Sequence, residues 1–226
     1  MVDNFHWPPL ESNPEIFTEY MAQLGLPDAW GFGEIFGFEE DLLAFVPKPV
    51  LAVIINMERL KKSEDKEKGS LDVKADFYMD QTGTLDNACG VIACLHAIFN
   101  NLSADKIDLV EGKTLKNFLS SVQSSNPAER ATALEQATDF QSVHKGFASQ
   151  GQSNLAGTQA EVKHHFVAFV INSEGQLIEL DGTKKGPHVI AESCDDVLKG
   201  SVAEIQRRLA DGEISESLSM MTLNAK

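Results

Sequence analysis

Hydrophobic residues follow two spacings along this chain, one typical of an α-helix and one typical of a β-strand. The helical spacing predicts helices at 14–25, 87–102, 113–123, 127–140 and 195–210. Continuous or alternating apolar runs predict strands at 50–57, 165–171, 176–180 and 219–224. Helices and neighbouring strands are thus mixed, and no internal repeat is found. The sequence predicts an α+β fold in which residues 1–226 form a single domain.

Proline, glycine and polar residues mark the ends of several of these elements. Pro14 and Gly25 bound the first helix, and Pro127 lies at the start of another. The polar turn at 172–175 predicts a hairpin between the strands on either side of it. Residues 146–162 have neither period and are rich in Gly, Ser and Gln, which predicts a long loop. Loops of that length in a compact domain are usually functional or disordered.

The balance of charge narrows the expected partners. The 226-residue chain has 34 acidic and 19 basic residues, which gives a net charge of −15. Nucleic acid is not an expected partner, because binding it depends on basic side chains that neutralise phosphates. A basic protein or peptide would be attracted instead, unless the charge serves only solubility. Residues 58–70 mix both signs of charge, which predicts a solvated loop or helix end.

Cysteine usage and hydropathy indicate a compartment. No apolar run approaches the roughly 20 residues that cross a bilayer, so no association with a membrane is expected. The first residues show no basic region followed by an apolar core, and therefore no secretory signal. Three cysteines without paired spacing do not make a disulfide framework. The expected location is the reducing cytoplasm, with the nucleus as a further compartment.

One cysteine lies where a polar loop turns into an apolar helix. Asn87 is a favoured N-cap residue, which would place Cys89 in the first turn of the helix. Unpaired backbone N–H groups and the helix dipole stabilise a thiolate there, so Cys89 is a candidate nucleophile. The alternative is a buried structural cysteine, which is the interpretation we give to Cys94 and Cys194.

A cysteine nucleophile needs a base and a group that orients it. His96 lies seven residues after Cys89, about 10 Å along a helix, which is too far for a hydrogen bond. His165 is a better candidate, because it lies where a loop enters an apolar strand. If the hairpin turns at Ser173, Asp181 lies directly opposite His165 and could orient its ring. The alternative is that both are ordinary residues at strand ends.

Several ordered motifs together resemble one protein family. The sequences NACG at 87–90, HHF at 164–166 and ELDG at 179–182 resemble the ubiquitin carboxyl-terminal hydrolases, which are papain-like cysteine deubiquitinases. Further matches are WPPLESNPE at 7–15, LGLP at 24–27, VPKPVLAV at 46–53 and SMMTL at 219–223. The resemblance is to the short single-domain branch, and within it to members that also accept the neddylation modifier.

The resemblance implies a role for each candidate residue. Cys89 would attack the carbonyl of the terminal glycine of ubiquitin and form an acyl-enzyme thioester, with His165 as its general base. Asp181 would hold the imidazole in its productive tautomer. The side chain of Gln81 and the backbone N–H of Cys89 would donate hydrogen bonds to the oxyanion. No metal and no organic cofactor are implied.

The resemblance also implies a fold and a partner. The family fold is a central antiparallel β-sheet flanked by α-helices, with a knotted backbone and a crossover loop, here about 147–161, over the active site. Such a loop would limit the leaving groups to small adducts. Leu10, Glu11, Glu15 and Glu34 correspond by position to residues that face ubiquitin, although routine surface roles are the alternative. A monomer is expected.

The spacing before the cysteine departs from the family pattern. Seven residues separate Gln81 from Cys89, whereas the family has five. A two-residue insertion at 83–86 that bulges outward would leave Gln81 in place; otherwise Gln81 is displaced and the oxyanion hole is weakened. We predict an active cysteine deubiquitinase. The alternatives are a non-catalytic relative that binds ubiquitin and another cysteine hydrolase of papain-like chemistry.

Overall fold

The fold is built around one antiparallel sheet of six strands. A computed structural model of the protein describes residues 5–60, 67–103, 105–148 and 164–226. The strands are β1 (Trp30–Glu34), β2 (Val50–Arg59), β3 (His164–Ile171), β4 (Leu177–Leu180), β5 (His188–Ala191) and β6 (Ile214–Ala225). They lie in the order β1-β6-β2-β3-β4-β5 across the sheet. The long strands β2 and β6 pair at its centre.

Helices cover both faces of this sheet. They are α1 (Pro14–Leu24), α2 (Glu40–Leu43), α3 (Cys89–Phe99), α4 (Thr114–Ser121), α5 (Pro127–Glu135), α6 (Thr138–Ala148) and α7 (Val197–Ala210). Alternate residues of β2 belong to two cores: Ala52 and Ile54 pack with α1 and α3, and Val53 and Ile55 pack with α7. Because β2 is buried on both faces, its sequence is continuously apolar rather than alternating.

The predicted elements agree with the structure in type and differ in extent. The first helix has Asn13 as its N-cap and ends at Gly25, whose φ of 115° only glycine adopts readily. The predicted helix 127–140 is two helices, α5 and α6, separated at residues 136–137. The strands β1 and β5 and the short helix α2 were not predicted. No helix among the described residues is long and apolar enough to span a membrane.

The predicted long loop falls mostly outside the described residues. Its first three positions, 146–148, are the last residues of α6, so the loop cannot begin before residue 149. Residues 149–163, and with them the crossover loop expected at about 147–161, lie outside the described part of the chain. In the charged run 58–70, Glu58 and Arg59 are the last residues of β2 instead of loop, and residues 61–66 are not described.

Candidate active site

Cys89 is the first residue of α3, and it lines a cleft on the protein. All residues of α3 are buried, as expected of a helix that is apolar on every side. The prediction of Asn87 as the N-cap is wrong: Ala88 occupies that position and makes no side-chain capping bond. The Cys89 thiol still lies at the N-terminus of the helix, where the backbone N–H groups favour a thiolate.

His165 is the second residue of β3, and its side chain lies beside Cys89. Its Nε2 is 2.7 Å from Oδ1 of Asp181, so the other ring nitrogen, Nδ1, is left for the thiol. The thiol of Cys89 lies close enough to this imidazole for the ring to lower the pKa of the thiol. The three predicted residues therefore form one continuous chain of contacts from carboxylate to ring to sulfur.

The hairpin that carries His165 and Asp181 has a different register from the predicted one. Ala168 pairs with Leu180 and Ile171 with Leu177, which places the centre of the hairpin one residue later than assumed. Asp181 is consequently a diagonal neighbour of His165, two residues short of the position directly opposite. Because the shift is an even number of residues, Asp181 stays on the same face of the sheet as His165. The predicted contact is therefore present although the predicted pairing is wrong.

Asp181 is held by contacts on both carboxylate oxygens. Oδ1 accepts from the backbone N–H of Thr183 at 3.0 Å and from its hydroxyl at 2.9 Å, in addition to the His165 ring. Oδ2 accepts from Nη1 of Arg59 at 2.7 Å. The Tyr78 hydroxyl donates to the backbone carbonyl of Asp181 at 2.7 Å. The carboxylate therefore has little freedom to rotate away from the imidazole.

These contacts change the protonation of the three groups. Burial alone would raise the pKa of the Cys89 thiol, but the hydrogen bond and charge of His165 lower it below its usual value. Burial would lower the pKa of His165, but the Asp181 carboxylate raises it to about 9. Burial is also outweighed at Asp181, where His165 and Arg59 hold the pKa well below its usual range. The site thus favours a thiolate beside an imidazolium.

Among the described residues, two cavities are lined in part by Cys89. The larger, of about 960 Å³, is lined by Gln81, Asp86, His165, Gly182 and Lys184 among others. The smaller, of about 340 Å³, is lined by residues that include Leu10, Glu11, Asn56, Phe166 and Leu218. Asn87 and His164 line both cavities, as does Cys89 itself. The sulfur therefore lies where two grooves meet, as a nucleophile between an acyl group and a leaving group would.

Two of the four residues predicted to face ubiquitin lie beside this site. Leu10 and Glu11 line the smaller cavity, and Leu10 is largely buried there. Glu15, in the first turn of α1, and Glu34, at the end of β1, are exposed and line neither cavity. The structure therefore brings Leu10 and Glu11 to the site and leaves the other two on the outer surface.

Gln81 lies in the larger cavity in spite of the longer spacing to Cys89. Its backbone N–H donates to the carbonyl of Gly182 at 2.8 Å, which ties it to the residue after Asp181. The additional residues form a short 3-10 helix, Gly83–Leu85. Leu85 is fully buried, so this turn packs partly inward instead of bulging entirely outward. The side-chain amide of Gln81 donates to the carbonyl of Asp86 at 2.9 Å.

The other histidine and cysteine predictions have mixed outcomes. His96 is fully buried and accepts the backbone N–H of Met79 at 3.1 Å, so it packs in the core and is not the partner of the thiol. Burial lowers its pKa to about 4, so the ring is neutral. Cys94 is buried as predicted, and burial raises its pKa. Cys194 is only half-buried, which the prediction of a buried structural cysteine missed.

Sequence reasoning missed the ionic groups around Glu179 and Asp181. Arg59 was assigned to a solvated run and is instead paired with Asp181. Glu179 is fully buried and accepts from Lys184 at 2.7 Å and from Arg208 at 2.8 Å. The only available signal was a glutamate inside the apolar strand that precedes Asp181, because a buried carboxylate requires cationic partners. Those partners are distant in sequence and could not be named from it.

Replacing Lys184 by methionine is expected to lower the free energy of unfolding by about 3–5 kcal/mol, because a charge of Glu179 would stay buried with one partner fewer. The matched control is Lys185→Met, one residue on, whose ammonium pairs with Glu67 at the surface and whose loss should change stability by about 1 kcal/mol or less. Urea unfolding measures both. Equal effects of the two variants would contradict a structural role for the buried ion cluster.

Known proteins are similar to this chain in sequence and in architecture. The family "Ubiquitin carboxyl-terminal hydrolase, family 1" matches residues 7–210. A ubiquitin carboxyl-terminal hydrolase of Drosophila melanogaster is 38% identical over 195 residues, 80% of each chain. A probable enzyme of this name from Dictyostelium discoideum is 35% identical over 220 residues, 93% of this chain and 84% of the relative. Isozyme L1 of Rattus norvegicus is 32% identical over 214 residues, 92% of this chain and 93% of the relative.

A solved structure agrees with the fold. The catalytic domain of Trichinella spiralis UCH37 bound to ubiquitin vinyl methyl ester superposes with a TM-score of 0.78, at 23% sequence identity, over 98% of this chain and 96% of that one. The predicted α+β fold with a central antiparallel sheet flanked by helices is thereby confirmed. From the match over residues 7–210 and the identities of 32% to 38% to its relatives, the chain belongs to the ubiquitin carboxyl-terminal hydrolase family.

Proposed function

We propose that this protein is a cysteine deubiquitinase that hydrolyses the bond after the terminal glycine of ubiquitin. The observation that carries the proposal is the continuous contact from Asp181 through His165 to Cys89 at the junction of two cavities. Family membership supports the same activity. The neddylation modifier is an alternative substrate, supported by the resemblance to family members that accept it.

The reaction follows from the protonation states of the site. The Cys89 thiolate adds to the glycine carbonyl carbon. The π electrons of the C=O bond move to the oxygen, which becomes the oxyanion. As the intermediate collapses, the bond to the leaving group breaks and His165 donates its proton to that group. Water then attacks the thioester while His165 accepts a proton from it. Free ubiquitin and the Cys89 thiolate are regenerated.

The two cavities support separate sites for the two halves of the substrate. The smaller cavity, with Leu10 and Glu11 in its wall, suits an extended chain end whose flanking groups are basic, because the carboxylate attracts them. The larger cavity has room for a short peptide, a small amine or a thiol as the leaving group. Its wall also contains Gln81, the proposed side-chain donor to the oxyanion. Single-domain organisation, a monomeric state and a cytoplasmic location stay predictions.

A ubiquitin that carries a C-terminal vinyl methyl ester tests this proposal. The protein should gain the mass of one ubiquitin, and peptide mapping should place the adduct on Cys89 and not on Cys94 or Cys194. A ubiquitin without its terminal glycine is the control, and a matching probe built on the neddylation modifier ranks the two substrates. Binding of ubiquitin without covalent labelling would instead indicate a non-catalytic relative.

The pH dependence of turnover reports the proposed ion pair. Because the pKa of Cys89 is lowered from 9.0, kcat/KM should already rise with pH below that value as the thiolate forms. His165 has a raised pKa of about 9, so kcat/KM should fall again near that pH as the imidazolium is lost. The two limbs belong to the coupled pair. A rate that keeps increasing beyond pH 9 would show a thiol that ionises without its imidazole partner.

A further inference from the structure

The two-residue insertion before Cys89 is attached to a neighbouring helix by one side chain. Glu135, the last residue of α5, accepts the backbone N–H of Thr84 at 2.8 Å through Oε1. Gly83 lies at a φ of +62°, and a Cβ there would come within 2.3 Å of the same carboxylate oxygen. The turn therefore lies against the Glu135 carboxylate, with Gly83 in a left-handed conformation that glycine adopts readily. The backbone carbonyl of Glu135 is itself fixed by the side-chain amide of Gln141 at 2.6 Å.

This turn determines where one backbone carbonyl points. Leu85 donates to the carbonyl of Thr82 at 3.2 Å, and Ala88 donates to the carbonyl of Leu85 at 2.8 Å. With Leu85 buried, the residue after it has little freedom, and its carbonyl accepts Nε2 of Gln81 at 2.9 Å. The contact of Glu135 with Thr84 and the contact of Gln81 with Asp86 are thus joined through the backbone of one short turn.

The contact with the carbonyl settles the orientation of the Gln81 amide. A carbonyl only accepts, so the NH₂ group of Gln81 faces Asp86 and one of its two hydrogens is used there. The Oε1 atom is buried and has no hydrogen-bond partner among the described residues. No described donor therefore favours the flipped amide, in which Oε1 would face Asp86. The second hydrogen is the one that can meet an oxyanion at Cys89, and a fixed donor is the kind that lowers the barrier.

We propose that Glu135 is a positioning residue for the oxyanion hole, acting through the turn 83–86 and the Asp86 carbonyl on the amide of Gln81. The inference rests on the proposed function, in which Gln81 is an oxyanion donor. It also explains how the longer spacing between Gln81 and Cys89 is compatible with an oxyanion hole. The Asp86 carbonyl holds the Gln81 amide, and the Glu135 carboxylate holds the turn that carries this carbonyl.

Steady-state kinetics on a ubiquitin C-terminal fluorogenic amide test the inference. Glu135→Ala should lower kcat about 10- to 100-fold and leave KM nearly unchanged. The displaced Gln81 amide would stabilise the oxyanion less well, whereas the bound substrate does not yet carry that charge. Glu135→Gln keeps an oxygen that accepts the Thr84 N–H and should restore most of kcat. Glu174→Ala, an exposed glutamate in the hairpin turn, is the control and should match the wild type.

A double-mutant cycle separates this role from a merely structural one. Gln81→Ala should itself lower kcat by about 10²–10³, and adding Glu135→Ala to it should cause no further loss. Additive losses, or a Glu135→Ala variant with a raised KM and normal kcat, would overturn the inference. If Gln81→Ala lowers kcat and Glu135→Ala does not, only the role of Glu135 fails. If Gln81→Ala has no effect, the oxyanion assignment in the proposed function fails as well, and a labelled Cys89 would still establish the nucleophile.

Discussion

Cys89→Ala is expected to abolish the hydrolysis of a ubiquitin C-terminal amide, with a loss in kcat of about 10⁶-fold, the size seen when a nucleophile of this kind is removed. The substitution removes one buried sulfur and leaves both cavities open, because their remaining walls come from other elements. Affinity for ubiquitin should therefore be retained. Initial rates and isothermal titration calorimetry measure the two quantities on the same preparation.

Cys94→Ala is the matched control, because it removes the same atom five residues further along the same helix. Cys94 is fully buried, and its burial raises the pKa of the thiol, so it contributes neither a thiolate nor a wall of either cavity. Turnover should be close to that of the wild type. If Cys94→Ala lost turnover as Cys89→Ala does, the loss would reflect damage to α3, and Cys89 would no longer be distinguished as the nucleophile.

The candidate residues could be named from the sequence because each is recognised by the few residues on either side of it. A cysteine before an apolar run and a histidine at the start of a strand are each visible within a few residues. The distance between them is not, since α3 and β3 are far apart in sequence and meet only where the helix packs against the strand. The motifs of a known family supplied that connection. Residue spacing alone left Cys89 with a structural alternative.

The hairpin shows why the face of the sheet on which a residue lies is easier to predict than the residue directly opposite it. Side chains alternate between the two faces along β3 and β4, which determines which residues share a face, but the turn decides which residues are directly opposite. Gly175 has a φ of +77°, and its N–H donates to the carbonyl of Asn172, so the turn is centred later than Ser173. His165 and Asp181 still meet because the predicted pairing is wrong by two residues, which leaves both side chains on the same face of the sheet.

Two of the features that were missed, the strand β1 and the ion pair of Arg59, depend on partners that are distant in sequence. The strand β1 has five residues, two of them glycines, and exists because it pairs along the edge of β6. Arg59 lies in the charged run 58–70 and is the last residue of β2, and only the fold shows that its guanidinium lies against a carboxylate. Tertiary contacts override local composition at both places.

Asp181→Asn is expected to lower kcat by about 10⁴-fold, the loss found for the equivalent change in a serine triad, with little change in the affinity for ubiquitin. The wild-type carboxylate accepts on both oxygens, from His165 on one and from Arg59 on the other. An amide has one acceptor and one donor group, so its NH₂ must face either the imidazole or the guanidinium. Facing the imidazole favours the wrong tautomer; facing the guanidinium leaves two donors opposed.

The same change should alter the pH profile in a defined direction. The Asp181 carboxylate is what raises the pKa of His165 against its burial, so without that charge the pKa falls. The alkaline limb of kcat/KM should therefore move to lower pH. Asp80→Asn is the matched control, because Asp80 lines the larger cavity without contacting His165. A loss of turnover matched by an equal loss of ubiquitin affinity would mean that Asp181 shapes the binding surface, whereas the shifted limb can arise only if its charge acts on the imidazole.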